Sequence, residues 1–547
     1  MNRIQTSVPL IVTVLLTLLP MIAFSEITRI NNIQGYTHNG EKLVKFNSLT
    51  FDTSSGRVLA NTTKQHVDQV IDGNNQILIS GLHDAHGHVL GYGLSQTNVQ
   101  LQGITSFQEV TDEIKKALNN HNNKEWLLGR GWNQALWPEK DFPNKSDLDR
   151  LSLTQPPIWL TRVDGHAGWA NSAALKAAGI DAEVAADNEL ILKDDNGEPT
   201  GILIDNAMGL MFEHIPDYSL ETKQAALQKA FTDLSAVGLT YVHDAGISGQ
   251  DHSLYQEMAE SKQMPIRIYA MLASQDPQFE QLLQKGQVNI ANRYQLRSVK
   301  MMVDGALGSY GALLHEPYSD KPETQGAYVQ HLDTLKAKLK PTAAAGFQAA
   351  IHAIGDRGNT EVLNLLAEPT AFSDKLRHRI EHAQIMRPSD IKRLADNDII
   401  ASMQPTHATS DKNMAEDRIG PDRMAGAYAW HTALDNQVHL AFGSDFPVEL
   451  INPFYGLHAA VTRQDRNNQP QGGWYKDEAL SIEQAFKAFT ISAAYAAHDE
   501  TNNGSLEPGK YADFIIIDQD IFTIDPKDIW KTQVLETWVN GEQVYQR

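Results

Sequence analysis

Eight short apolar runs, most of them closing on histidine, lysine or aspartate, constrain this chain more than any other feature. In order they are "GLHDAH", "LTYVHDAG", "PIRIYAML", "LRSVKMMVDG", "GFQAAIHAIGD", "HRIEHAQIM", "DIIASMQP" and "VHLAFGSDFP". Continuous apolar runs bounded by turn signals are the pattern of strands buried on both faces. Helical patterns lie between them, such as "ETKQAALQKAFTDLSAVG", closed by Gly238, and "PSDIKRLADN", opened by Pro388. An eightfold alternation of strand and helix predicts an α/β chain folded as a (β/α)8 TIM-type barrel rather than an open doubly wound sheet.

The first and second runs stand about 150 residues apart, too far for a loop. The interval holds patterned stretches of its own: "SFQEVTDEIKKALNN", "EWLLGRGWNQALWPEKDFPNKSDLD" and "PPIWLTRVDGHAGWANSAAL". It reads as a subdomain inserted over the barrel mouth, about residues 104–235. Five of the nine tryptophans fall there: Trp126, Trp132, Trp137, Trp159 and Trp169. A lid lined by one or two indoles suits a substrate with a bulky apolar or aromatic group. Both ends of the chain are strand-rich. Residues 26–80 carry "KLVKFNSLTF" and "QILIS"; residues 499–547 carry "ADFIIIDQD" and "VLETWVNGEQVYQ". They are expected to meet in one small β-sandwich, leaving 81–498 to the barrel and its insertion.

Composition excludes several classes. A net charge of −21 without a basic block argues against a nucleic-acid partner. The absence of cysteine removes disulfides, thiol nucleophiles and thiolate ligands. Any transition-metal site must therefore use His, Asp, Glu or a modified Lys. The first 25 residues combine Arg3, the apolar run "VPLIVTVLLTLLPMIAF" and "AFS" before Glu26. This reads as a secretory signal peptide, which places the mature chain in the periplasm or outside the cell. An uncleaved N-terminal anchor is the alternative. No later run has the length of a membrane span.

In a barrel, functional side chains gather at the C-terminal ends of the strands. His86 and His88 close the first run at i and i+2, on one face of a strand. Two imidazoles so placed can grip a transition metal. Lys300 lies in the fourth run, His352 in the fifth, His382 in the sixth and Asp445 in the eighth. A single strand-end histidine is commonly structural. Four of them, with a lysine and an aspartate, around one mouth read as a ligand set.

The motifs "GLHDAHGH", "GRGWNQALW", "RVDGHAGWANSAAL", "VKMMVDGALGS", "HAIGD", "RIEHAQ", "GSDFP" and "GSLEPGKYADFIIID" together resemble the amidohydrolase superfamily. The closest likeness is to amidohydrolase family 3, the group of N-substituted formamide deformylase-like metal-dependent hydrolases. The resemblance implies the barrel and the sandwich, and a small-molecule amide substrate. It implies that His86 and His88 ligate the more buried metal, and that His352 and His382 ligate a second. Lys300 falls where relatives carry an N-carboxylated lysine that bridges the two. An unmodified ammonium has donors and no acceptor, so only the carboxylated form can ligate. The other reading of Lys300 is a binder of a substrate anion, and Asp205 in "TGILIDNA" is a rival carboxylate. One or two Zn²⁺ are expected, though the same ligands suit other divalent transition metals.

Asp445 is implied as metal contact and general base, taking the proton of an activated water that attacks a non-peptide amide or formamide C–N bond. His166 in "DGHAGW" is the candidate oxyanion donor. His243, beside Asp244 in "YVHDAG", is the alternative donor or a substrate-orienting residue. Both histidines have a structural reading as well. Two positions depart from the family pattern: Ser80 stands for a proline, and Asn133 for an aspartate. The same scaffold serves esters, lactones, cyclic amides or organophosphates. A binding protein without turnover is the third reading, disfavoured by the presence of Asp445.

Overall fold

The computed structural model describes residues 26–61, 66–119, 121, 125–151, 156–368 and 375–547. The expected signal segment, residues 1–25, lies outside them.

The eight apolar runs form the eight strands of a parallel barrel: β1 (Leu82–Gly87), β2 (Leu239–Ile247), β3 (Arg267–Ala273), β4 (Tyr294–Met302), β5 (Gln348–Ala353), β6 (Arg379–His382), β7 (Ile400–Met403) and β8 (Leu440–Phe442). Each pairs in parallel with the next in sequence. The circle closes through a parallel bridge between Gly87 and Phe446. The (β/α)8 expectation is met. Strand and helix ends follow local chemistry. Ser219 caps the helix Leu220–Ala236, and Gly238 behind it sits at φ +85°, a conformation that glycine adopts without Cβ strain. Pro388 opens the helix Pro388–Asp396, where its missing N–H costs nothing.

The two chain ends share one eight-stranded sheet. Ile27–His38 and Gln69–Ser80 run parallel at its centre, and Phe514–Ile517 joins antiparallel to the second of them. The far edge, Arg57–Val58, returns to the segment before Phe514: Val58 N donates to Lys510 O at 2.9 Å and Ala512 N to Gly56 O at 2.8 Å. Phe51 and Phe514 lie on strands three places apart, roughly 14 Å in a flat sheet, yet their ring centroids are 5.7 Å apart. The sheet is therefore rolled around its own core of Ile30, Leu49, Phe51, Leu78, Phe514 and Ile516. Buried Arg267 on β3 fastens it to the barrel with a forked pair to Asp513, Nε–Oδ2 2.8 Å and Nη2–Oδ1 3.0 Å.

Between β1 and β2 a separate six-stranded sheet runs from Val99 to Ile204. Trp132, Trp137 and Trp169 fill its core with Leu101, Val110 and Ile114. Helix Leu220–Ala236 already packs on the barrel core through Leu227, Phe231 and Leu234. Among the described residues no helix is long and apolar enough to cross a membrane.

Candidate metal centre

The motif "HDAHGH" does two jobs, and its aspartate does the structural one. Asp84 is fully buried and accepts from Ser444 N at 3.0 Å and Ser444 Oγ at 2.6 Å. This ties the end of β1 to the segment after β8. The same closure carries Asp445 N to His86 O at 2.7 Å and His88 N to Phe446 O at 2.8 Å. His86, His88 and Asp445 are thus brought together by the act of closing the barrel.

Their side chains converge. His88 Nε2 lies 3.1 Å and His86 Nε2 3.7 Å from Asp445 Oδ1, while His407 Nε2 lies 3.4 Å from Asp445 Oδ2. Two groups, His86–His88–Asp445 and His382–His407–Asp445, each hold ligand atoms within 4.8 Å of one another. In three of the histidines the opposite nitrogen is already held. His86 Nδ1 meets Glu381 Oε2 at 2.5 Å, His382 Nδ1 meets Gln404 Oε1 at 2.8 Å, and His407 Nδ1 meets Glu449 Oε1 at 3.1 Å. In His86 and His382 an acceptor on Nδ1 fixes the tautomer that leaves the Nε2 lone pair for a metal, whereas His407 sits between two carboxylates and holds Asp445 as a charged donor. His352 stands beside this group, its ring centroid 4.5 Å from that of His382, and its buried Nε2 has no hydrogen-bond partner. A buried imidazole nitrogen without a partner calls for an unseen one. These residues fit one or two divalent cations.

The electrostatics agree. Burial would raise the Asp445 carboxyl, but hydrogen bonds from His407 and His88 hold it well below the usual range. Burial alone would lower His407; its hydrogen bonds to Asp445 and Glu449 push it up to about 10. Burial drives His86 down to about 4, helped by Lys300 and opposed by Glu381. Lys300 is buried with Nζ 3.0 Å from His86 Nε2, and burial lowers it to about 8 against the pull of Glu381 and Asp445. Asp445, His382 and Asp205 all have left-handed backbones, at φ 63°, 73° and 44°. Such strain persists where the surroundings dictate it, and it clusters at functional sites.

The insertion supplies the roof. His166, behind the strand Ile158–Arg162, is bonded through Nδ1 to Asp205 Oδ1 at 2.6 Å and lies 5.2 Å, ring to ring, from His352. Burial would lower its pKa, but Asp205 raises it. Asp205 is thereby committed to His166 and seated against the barrel loop: a Cβ on Gly305 or Gly311 would meet its Oδ2 at 2.3 or 2.4 Å. Asn133 caps a short 3-10 turn and accepts from Arg162 Nη2 at 2.9 Å.

His243 is not brought to the centre. It is fully buried inside the barrel, its Nδ1 facing Arg379 Nη1 at 2.9 Å and its ring against Tyr241 and Tyr269, and it does not line the cavity. Its strand-end look misleads, because β2 runs on four residues to Ile247, so that Ala245 and Gly246 reach the cavity and His243 lies a layer below. Neighbouring Asp244 accepts from Val89 N at 2.9 Å and Tyr255 OH at 2.5 Å. The residues that the sequence reading missed are His407 and its partner Glu449. His407 sits on the helix Pro405–Asp411 after β7; the only sequence signal was that "MQPTH" follows a strand with no other functional residue.

The centre opens into a cavity of about 1270 Å³ between barrel and insertion. Of the five insertion tryptophans, Trp159 lines it, together with Leu128, Leu136, Met208 and Phe212.

A (β/α)8 barrel with a histidine–aspartate cluster at its C-terminal mouth defines a metal-dependent hydrolase scaffold. The family model for amidohydrolases matches residues 69–545, and the chain belongs to the amidohydrolase family. It is 32% identical to the amidohydrolase-family protein YtcJ of Bacillus subtilis over 481 residues, covering 87% of this chain and 90% of the relative. It is 26% identical to the N-substituted formamide deformylase of Arthrobacter pascens, over 88% of this chain and 90% of that protein. In fold it is similar to a metal-dependent hydrolase from Pyrococcus horikoshii, with a TM-score of 0.73, 24% identity, and coverage of 92% and 99% of the two chains.

Proposed function

We propose that this protein is an exported amidohydrolase that cleaves a non-peptide C–N bond, an amide or N-substituted formamide, with one or two Zn²⁺ ions and Asp445 as general base. The observation that carries the reading is the convergence of imidazole Nε2 atoms on Asp445, with Glu381, Gln404 and Glu449 holding the opposite nitrogens. The resemblance to a formamide deformylase supports the bond type, and the apolar walls of the cavity support a bulky acyl or amine group.

His86, His88, His352, His382 and Asp445 would hold the metal. Lys300 would join them once carboxylated: its neutral amine, which burial favours, would add carbon dioxide and lose a proton to become an anionic ligand. When bound, the metal supplies Lewis acidity and a readily ionised water. Asp445, kept ionised by its hydrogen bonds from His407 and His88, would accept a proton from the attacking water and return it to the leaving amine. His166, anchored by Asp205, faces the reacting centre as donor to a developing oxyanion. The leader before Glu26 supports export.

The test is elemental analysis of the mature chain with Lys300→Ala alongside, followed by paired amide and ester versions of one aromatic substrate. About two metals per chain, falling in the variant, with amide turnover lost in Asp445→Asn, is the expected result. Turnover surviving in the His86→Ala/His382→Ala double variant would overturn the reading. Faster ester cleavage would move it to another hydrolase class on the same scaffold. N-terminal sequencing of secreted material should begin at Glu26.

A further inference from the structure

The motif "GRGWNQALW" is not used by the metal chemistry, and its arginine is unusual. Arg130 lies on the insertion strand Leu127–Trp132, half-buried, and lines the cavity. Among the described residues its guanidinium makes one hydrogen bond, Nη2 to Val163 O at 3.1 Å. Two other arginines line the same cavity. Arg162 is fully committed: Nη1 pairs with Asp164, Nη2 with Asn133 and Nε with Gln134. Arg466 is exposed and lies over the Tyr455 ring. The cavity acids have partners of their own, Asp205 through Oδ1 with His166, Glu449 with His407 and Asp411 with Tyr428. Among the described residues Arg130 alone is a half-buried guanidinium of this cavity without an ion-pair partner.

The strand is built to present it. Gly131 has φ +98°, and the register against the strand Ile158–Arg162 shifts between Arg130 and Trp132. A bulge of this kind re-aims side chains. Trp132 turns into the insertion core, with Nε1 donating to Leu160 O at 2.7 Å, while Leu128 and Arg130 face the cavity. A Cβ at Gly131 would lie 2.7 Å from Gln102 N, and one at Gly129 would lie 2.7 Å from Leu160 Cδ2. Both glycines are sterically required around the one long cationic side chain. Burial pushes the guanidinium down to about 10, against the through-space pull of Asp445 and Asp164, and Arg130 and Asp445 line the same cavity.

We infer that Arg130 is a specificity-determining residue that receives an anionic group of the substrate, a carboxylate borne near the scissile C–N bond. A half-buried guanidinium without a counter-ion is an incomplete fork, and a carboxylate completes it with two parallel hydrogen bonds. The substrate class is then an amide with a carboxylate on its acyl or amine half and an apolar group toward Trp159 and Phe212. This rests on the hydrolase reading above for the meaning of "scissile", and the test is chosen to separate the two.

Binding of 4-phenylbutyrate and of its non-hydrolysable methyl ketone analogue, 5-phenylpentan-2-one, to the metal-loaded mature protein should be measured by calorimetry, with wild type, Arg130→Gln and Arg130→Lys. No turnover is needed, so failure of the hydrolase reading does not affect the result. The expected wild-type preference for the carboxylate is about tenfold to a hundredfold. It should collapse toward unity in Arg130→Gln at unchanged metal content, and recover in part in Arg130→Lys, which keeps the charge but not the fork. Carboxylate preference retained in Arg130→Gln would place the anion on the metal and overturn the proposal. If Arg130→Gln fails to fold, Arg130→Lys decides: an undiminished preference overturns the proposal, and a several-fold loss supports it.

Discussion

Glu381 offers the sharpest test of how the centre is held. It is fully buried in the barrel next to His382, and its two oxygens serve both His86 and Arg379. Oε2 takes His86 Nδ1 at 2.5 Å and Arg379 Nη2 at 2.9 Å; Oε1 takes Arg379 Nε. Burial would raise its carboxyl, but Arg379 and His86 hold it well below the usual range. Glu381→Gln keeps the shape and removes the charge. Arg379 is then left with neutral acceptors only: Ala85 O, Ser402 Oγ and His243 Nδ1. Removing one partner of a buried ion pair costs about 3–5 kcal/mol. The retained amide oxygen puts the expectation near the lower end, about 3 kcal/mol. His86 also loses its anionic acceptor, which should weaken metal binding by about 10- to 100-fold. Urea unfolding of the metal-free protein reads the first quantity, and competition against a metal buffer reads the second. Wild-type values in both would refute the assignment of Glu381 as the residue that balances Arg379 and orients His86.

Three further outcomes are expected. Gly131→Ala, forced to φ +98° with a Cβ 2.7 Å from Gln102 N, should cost at least about 1 kcal/mol in thermal or urea unfolding; an unchanged midpoint would mean that the bulge is not rigid. Glu449→Gln should leave metal content near normal yet lower kcat by about tenfold or more, because His407 loses the anionic partner that helps keep it charged beside Asp445; an unchanged kcat would reduce the pair to packing. His252 is bonded through Nδ1 to Tyr294 OH at 2.6 Å, and burial lowers its pKa to about 4, with Lys285 adding. Its folded pKa lies below its unfolded value of 6.5. Acid therefore protonates the unfolded chain first, and stability present above pH 6.5 is lost between 6.5 and about 4. His252→Gln should flatten the stability profile in that window; an identical acid slope would remove His252 from the account.

Much of the scaffold was legible because its signals are local. Each barrel strand is an apolar run with its own boundaries, and each proposed ligand closes a run: His86 and His88 on the first, His352 on the fifth, His382 on the sixth, Asp445 on the eighth. The amino-acid order alone determined the eightfold repeat, the distant ends that share one sheet, and the exclusion of cysteine chemistry. Tertiary structure decided the rest, because the deciding contacts span long stretches of chain. His243 looks like the other strand-end histidines, but β2 continues past it to Ile247 and leaves it in the barrel interior against Arg379, 136 residues away. His407 lies past its strand in a helix and becomes part of the centre only through Asp445 and Glu449, the latter 42 residues on. Arg130 reads as one cation among many until the structure places it half-buried in the cavity, with no ion-pair partner among the described residues. A sequence states which groups a chain owns; which of them lack a partner is settled only when the barrel closes and the insertion comes down over it.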